Sequence, residues 1–426
     1  MLTTIEQTKV IQATGFDPGK KTIILLWLGV AVGIISFLIG LATDYAFYAW
    51  QALLVNTLFF AGLAHGSLIF SVIFTITKAE WGRPIKRLAE ATVLFIPVSW
   101  LLFGALFLGM DYFFEWTDPL RVIAAKTWWL NTAFFISRHV VLLAITGLVG
   151  MAYVLSSIRP DLMVFEKLVP NGLSRFARRF IKNKAFSEGE IVGQYRKHSA
   201  LAPLYALLYS ILTCIIAFDW IMSIDQEWYS TLFGFQYSIA SLYAAAAFLV
   251  IVSSIWRKKT GLTEYLSLER HNDLSRLLFA LCLFWTYFIF SQVLVIWYAN
   301  IPEETPYLIL RMKSREWSGM FIFLFVVLFL VPFIGLLSKR ACRSPLFSSI
   351  IAIDVLIGIW LEKYFLTVPS IQENMIRSDL LPGLNLNVLD LTITIGILAA
   401  FLQAYLFFLR SFPALPIADP FLSKQE

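Results

Sequence analysis

Ten long apolar runs separated by short polar stretches set the pattern of this chain. They fall at about 23–43, 47–76, 88–110, 132–157, 202–224, 231–255, 277–299, 317–338, 347–368 and 389–410. Each is close to the roughly 20 residues that carry a helix across a bilayer. None alternates polar and apolar positions as a membrane-barrel strand does. The pattern predicts an all-α polytopic membrane protein with about ten transmembrane helices. The first 22 residues are polar and the run after them is too long for a signal-peptide core, so a retained helix is expected there.

Composition sharpens this picture. Of 426 residues, 59% are hydrophobic and only 15% charged, with a mean hydropathy of +0.74. A soluble chain carries about 25% charged residues, so a soluble enzyme, a disordered chain and a coiled-coil rod are all excluded. Cys214, Cys282 and Cys342 are far apart, which leaves no disulfide scaffold and no self-contained iron–sulfur site. With the N-terminus placed in the cytoplasm, the inner segments and span ends hold 26 of the 34 Lys and Arg, and the outer ones seven. That skew predicts both termini on the cytoplasmic side. It also explains the net charge of +6 without a nucleic-acid partner. The outer loops are rich in carboxylates, among them Asp111, Glu115, Asp118, Asp225, Glu227, Glu303 and Glu304.

Two segments outside the runs have character of their own. Across Leu173–Lys184 the apolar Leu173, Phe176, Ala177, Phe180 and Ile181 share one helical face, and Arg175, Arg178, Arg179 and Lys182 the other. That predicts a helix on the anionic lipid surface, with an acidic partner subunit as the alternative. Lys126-Thr127-Trp128-Trp129 reads as an interfacial anchor.

No phosphate loop, HExxH motif or cysteine cluster is visible. Haem held by two histidines needs both at one depth. His65 and His139 lie on parallel helices about 18 and 7 residues from their outer ends, some 16 Å apart in depth at ~1.5 Å per residue. His198 and His271 lie at inner span ends. No cofactor is therefore expected on this chain.

Ionisable groups inside the membrane are costly and mark function or register. Arg138 and Asp219 stand at similar depth and are expected to pair, for structure or for function. Asp354, Gly358 and Glu362 share one face of the ninth run. They stage a proton relay, or else Glu362 is interfacial beside Lys363 and Asp354 is a lone satisfied carboxyl. His65, beside Gly62 and Gly66, either bonds between helices or carries protons. Ser67, Ser71 and Thr75 line a wet path or bond back to their own helix. In Glu269–Arg276, His271 and Asp273 mark a proton entry, or Asn272 or Asp273 simply caps a helix. The proton-path candidates are thus His65, Arg138, His139, Asp219, His271, Asp273, Asp354 and Glu362.

Two segments carry a resemblance: Phe218-Asp219-Trp220-Ile221-Met222-Ser223-Ile224-Asp225 with Trp228-Tyr229-Ser230-Thr231-Leu232-Phe233-Gly234, and Ile296-Trp297-Tyr298-Ala299-Asn300-Ile301-Pro302-Glu303-Glu304-Thr305. With the cluster at His271–Arg276 they resemble the NrfD/PsrC-like membrane subunits, in particular the ActF type of bacterial alternative complex III. The likeness in topology spans about residues 20–410, and the motifs cover fewer than fifty residues. Where such proteins often have Pro-His before the tryptophan, this chain has Gln226-Glu227. No histidine role carries over there.

The resemblance implies four-helix bundles over 47–224, with a basic loop at 158–201, and over 231–368. Helices at 23–43 and 389–410 would flank them, with cytoplasmic segments at 1–22 and 411–426. It implies a non-catalytic subunit in the bacterial cytoplasmic membrane, part of a quinol-oxidising respiratory or photosynthetic complex. That subunit would scaffold a homologous quinol-binding subunit of the ActC type and provide a proton path. Haem c, iron–sulfur clusters and quinol would reside in partner subunits, including an iron–sulfur and a cytochrome c subunit, with membrane lipids around. Two alternatives remain: a chain that binds quinol itself near Asp219 and Trp220, and a stand-alone secondary transporter. No pair of Gly/Pro-broken spans supports the transporter.

Overall fold

The computed structural model describes residues 18–169, 172–181, 188–260, 263–376 and 386–419. Residues 1–17 of the N-terminal segment, 182–184 of the amphipathic stretch and 420–426 of the tail lie outside the described residues. Among those described there is no strand. Ten helices among the described residues are long and apolar enough to cross a membrane. They are α1 (Lys20–Leu41), α2 (Ala46–Ile76), α3 (Arg83–Tyr112), α4 (Thr132–Leu168), α5 (Glu188–Ile224), α6 (Phe233–Lys259), α7 (Leu268–Ala299), α8 (Ser318–Leu336), α9 (Pro345–Asn374) and α10 (Val388–Ser411). The chain is an all-α polytopic membrane protein.

The helices are longer than hydropathy predicts at the end that carries the basic loops. There α3 starts at Arg83 rather than near 88, α4 runs to Leu168 rather than 157, α5 starts at Glu188 rather than 202, and α7 at Leu268 rather than 277. The extra turns carry charged residues, which a hydropathy window reads as loop. Several of them are buried, including Arg83, Lys86, Arg87, Glu90 and Asp161. Ser267 caps α7 by accepting from the Arg270 N–H, so neither Asn272 nor Asp273 does so.

Helices α2 and α6 are the most enclosed and pack on each other. Around α2 gather α3 and α5, with α4 along α5, and around α6 gather α7 and α9, with α8 beside them. Helix α10 lies on α2 and α3 and carries α1 on its outer side. In lipid this last contact depends on small residues, which let backbones approach closely. A Cβ on Gly33 would come within 2.5 Å of the Gly396 Cα, and one on Gly29 within 2.9 Å of the Ala399 Cβ.

Two prolines show how the fold satisfies its backbone where no water can. A helical proline leaves the carbonyl four residues earlier without its donor. Pro332 in α8 frees the Leu328 carbonyl, which accepts from the Tyr243 hydroxyl of α6 at 3.1 Å. Pro369 in α9 frees the Phe365 carbonyl, which accepts from Arg311 Nε at 3.2 Å. Arg311 stands on a short helix, Thr305–Met312, that folds over the carboxylate-rich end.

The apolar side of the amphipathic stretch turns onto the protein rather than onto lipid. Phe176 packs on Phe407 and Phe412 at the end of α10, and Ala177 is fully buried. Among its described residues one helical turn forms, Arg175–Arg178, with Arg175, Arg178 and Arg179 facing outward.

Candidate functional site

Three buried polar clusters occupy the interior. The first, at the carboxylate-rich end, is built on α4 and α5. Arg138 donates to both Asp219 oxygens, Nε to Oδ2 and Nη2 to Oδ1, each at 2.8 Å. Trp129 Nε1 donates to Oδ1 at 3.2 Å, and its ring lies 4.1 Å beneath the guanidinium. His139 Nδ1 stands 3.2 Å from Oδ2, while its Nε2 accepts from Trp220 Nε1 at 2.7 Å. An indole nitrogen can only donate. His139 Nε2 must therefore carry the lone pair, and the imidazole is neutral with its proton on Nδ1, pointed at Asp219. Phe103, Phe107 and Phe135 surround the ring. Trp129 is thus a ligand of Asp219, whereas its neighbour Trp128 is exposed as an interfacial anchor would be. Gln226 ties the adjacent loop, its side chain accepting from the Ile123 N–H and donating to the Arg121 carbonyl.

The second cluster rises from the basic end between α2, α3, α4 and α5. It starts at a cleft of about 470 Å³ lined by Lys78, Arg83, Lys86, Tyr195, Arg196 and His198, among others. Lys86 Nζ lies 2.9 Å from His198 Nε2, and His198 Nδ1 lies 3.1 Å from the Tyr153 carbonyl. The carbonyl can only accept and the ammonium can only donate. His198 is therefore also neutral with its proton on Nδ1. Thr75 then bridges His198 Nε2 at 3.2 Å and the Tyr153 hydroxyl at 2.8 Å. Tyr153 reaches Ser71 at 2.9 Å, and Ser71 donates to Glu90 at 2.9 Å. Glu90 is held by Arg87, which also pairs with Asp161. Thr75 Oγ1 also lies 3.0 Å from the Ser71 carbonyl, which competes with His198 Nε2 for its single hydroxyl proton. Further along α2, His65 Nδ1 meets the Tyr205 hydroxyl at 2.9 Å. Ser67 Oγ and His65 Nε2 are buried with no hydrogen-bond partner among the described residues.

The third cluster lies in α6, α7 and α9. Glu362 accepts from Lys363 Nζ and from Trp285 Nε1, both at 2.7 Å. Glu362 and Lys363 are both buried. Lys363 also lies 4.7 Å over the Tyr237 ring. Above this pair the short helix Thr305–Met312 brings in Tyr307, stacked on Trp228 at 3.6 Å. Burial pushes the Tyr307 phenol up to about 12, so it stays neutral.

The structure brings Arg138, His139 and Asp219 together and leaves the other candidates apart. Asp354 is half-buried, and its Oδ2 has no hydrogen-bond partner among the described residues. Nothing joins it to Glu362, about 12 Å along the same helix. His271 bonds Ser348 at 2.7 Å and nears Ser253 at 3.5 Å, and both hydroxyls return to carbonyls of their own helices. Among the described residues Asp273 accepts only from its neighbour Asn272, while Glu269 pairs with Arg343 at the surface.

Residue reading missed Lys86, Glu90, Tyr153, Asp161 and His198 as a connected set. One signal was present: Arg87 and Glu90 stand three apart, the spacing of a pair on one helix face, just before an apolar run. Fold and clusters together define a multi-pass helical membrane protein with protonatable groups buried along its interior. No protein-family model and no curated protein matches the chain.

Proposed function

We propose that this chain is an NrfD-like, ActF-type membrane subunit of a quinol-oxidising complex in the bacterial cytoplasmic membrane. It scaffolds a quinol-oxidising partner of the ActC type and supplies a proton path. Haem c and iron–sulfur clusters belong to the partner subunits on this reading. The supporting observation is the run of exchangeable groups from the basic cleft inward: Lys86, His198, Thr75, Tyr153, Ser71 and Glu90, each within 3.2 Å of the next. Hydroxyls and a neutral imidazole can each accept one proton while giving up another, and the carboxyl end can store one. Ionisable groups are kept in a membrane interior chiefly for such work. Asp219 already accepts from Arg138 and Trp129 and meets the His139 N–H, which leaves little capacity for a quinol headgroup at that site.

The test is the intact complex in vesicles. Tyr153→Phe keeps the ring and removes the hydroxyl at the middle of the run. Quinol oxidation with the proton gradient dissipated is expected to persist, and proton uptake from the basic side to fall at least several-fold. Unchanged uptake would end the proton-path reading, and purification of the chain without haem-bearing partners would end the subunit reading.

A further inference from the structure

Among the described residues, the cleft at the basic end holds more positive charge than its lining balances. It lies between the end of α2, the start of α3 and the first turns of α5, beside Asp419 in the segment after α10. Lys78, Arg83, Lys86 and Arg196 line it, and Asp419 is the one carboxylate among them. Arg83 takes that carboxylate at 3.1 Å. Among the described residues Lys78, Lys86 and Arg196 form no ion pair. Glu90, one turn along α3 from Lys86, is taken up by Arg87 and Ser71.

Lys86 carries the argument. It is only 2% exposed, and its ammonium has three hydrogens to give. One meets His198 Nε2, and the other two have no acceptor among the described residues. A buried ammonium is costly unless it is paired. An anion in the cleft supplies the missing acceptors. The cleft's volume of about 470 Å³ leaves room for roughly ten or more waters of about 30 Å³ each, so it admits a headgroup and not only a small ion.

The surface beside the cleft is apolar and outward-facing. The exposed side of α5 that carries Val192, Arg196 and Ser199 runs on as Pro203, Leu204, Leu207 and Ile211. On α2, Ile73 and Ile76 are exposed just before Lys78. Positive charge at headgroup level thus passes directly into apolar surface at the level of acyl chains.

We propose that this cleft binds the headgroup of an anionic phospholipid such as phosphatidylglycerol, its phosphate on Lys86 and Arg196 and its acyl chains along Leu207 and Ile211. Basic pockets between helices at the cytoplasmic side suit such headgroups. Phosphate oxygens are the acceptors that the ammonium lacks, and a guanidinium takes two of them at once. A zwitterionic headgroup brings its own cation to a lining already in excess, which disfavours it. A free phosphate has the charge but makes no use of the apolar side of α5. The inference goes beyond the proton-path reading and requires no partner subunit.

The test uses the purified full-length protein in phosphatidylcholine nanodiscs doped with a phosphatidylglycerol whose acyl chain carries a photoreactive diazirine. Label is expected in the α5 peptides that hold Leu204, Leu207 and Ile211, with protection by unlabelled phosphatidylglycerol and not by added phosphatidylcholine. Lys86→Met should lower that labelling at least fivefold. If that variant folds poorly, Lys78→Ser with Arg196→Ser changes only exposed side chains. It should lower labelling roughly tenfold or more, at about fivefold for each near-surface cation. Arg175→Ser with Arg178→Ser, which removes basic residues outside the cleft, should leave it within about twofold. Equal losses in the two double variants would reduce the effect to general surface charge and overturn the site. Label spread evenly over lipid-facing helices would overturn it too, as would equal protection by phosphatidylcholine. Protection by inorganic phosphate as strong as by phosphatidylglycerol would overturn the lipid in favour of a free anion. Labelling is read without turnover, whereas proton uptake in Tyr153→Phe complexes is a separate readout, so either idea can fail alone.

Discussion

Trp220 donates its indole N–H to His139 Nε2 at 2.7 Å, and that bond settles which way the imidazole presents its proton to Asp219. The two residues lie on different helices, 81 positions apart. The consequence is a neutral histidine inside an ion-pair cluster, orienting the carboxylate rather than competing with Arg138 for it. Nitrogen-15 spectra of histidine-labelled protein should show His139 as the Nδ1–H tautomer near neutral pH. Trp220→Phe leaves a buried acceptor without its donor, which costs about 1–3 kcal/mol. In that variant the His139 signals should shift and the thermal transition fall. A His139 signal already in the Nε2–H form in the unaltered protein would refute the assignment.

The Arg138–Asp219 pair is buried and bidentate, so taking away one member strands the other in a medium that solvates it poorly. Asp219→Asn should reduce stability in detergent by about 3–5 kcal/mol. Combining it with Arg138→Gln should recover a substantial part. A double variant no more stable than the worse single one would mean the two residues act independently.

Glu362 and Lys363 are adjacent in sequence and both buried, an arrangement that hydropathy treats as a helix end. Lys363→Met should cost a similar ~3–5 kcal/mol by leaving Glu362 uncompensated. Glu362→Gln in the same chain should restore most of it, read as the midpoint of thermal unfolding. If Lys363→Met alone is neutral, Glu362 is not carrying charge.

Asp354 distinguishes two routes for protons. It has no hydrogen-bonded connection to Glu362, whereas Tyr153 sits within a bonded run. In vesicles containing the complex, Asp354→Asn is expected to leave proton uptake within about twofold of normal, while Tyr153→Phe lowers it. The reverse result would move the path from the α2–α5 group to α9.

The chain's helices and the Arg138–Asp219 pairing could be read in advance because each depends on quantities that add along the chain. Apolar residues sum to a span, and two ionisable groups at one depth in lipid have strong reason to meet. The ends of α3, α4, α5 and α7 were not readable that way. Arg83, Lys86, Arg87, Glu90 and Asp161 have the composition of a loop, and they can be helical and buried because each finds a partner: Arg83 pairs with Asp419, Arg87 with Glu90 and with Asp161 on another helix, and Lys86 bonds His198. Likewise Leu173–Ile181 has the pattern of a lipid-surface helix, and the presence of Phe407 and Phe412 beside it is a matter of how α10 ends.

By itself the sequence determined that this is a helical membrane protein, where its spans lie, and which polar groups must find partners. Hydropathy carries that information because burial in lipid acts on each segment separately. The tertiary structure alone decided which partner each group found: His198 for Lys86, Trp220 for His139, Tyr243 for the carbonyl that Pro332 frees. It alone shaped the cleft at the basic end. A hydrogen bond depends on separation and direction to within tenths of an ångström, and for groups eighty or more residues apart only the packing of whole helices sets those.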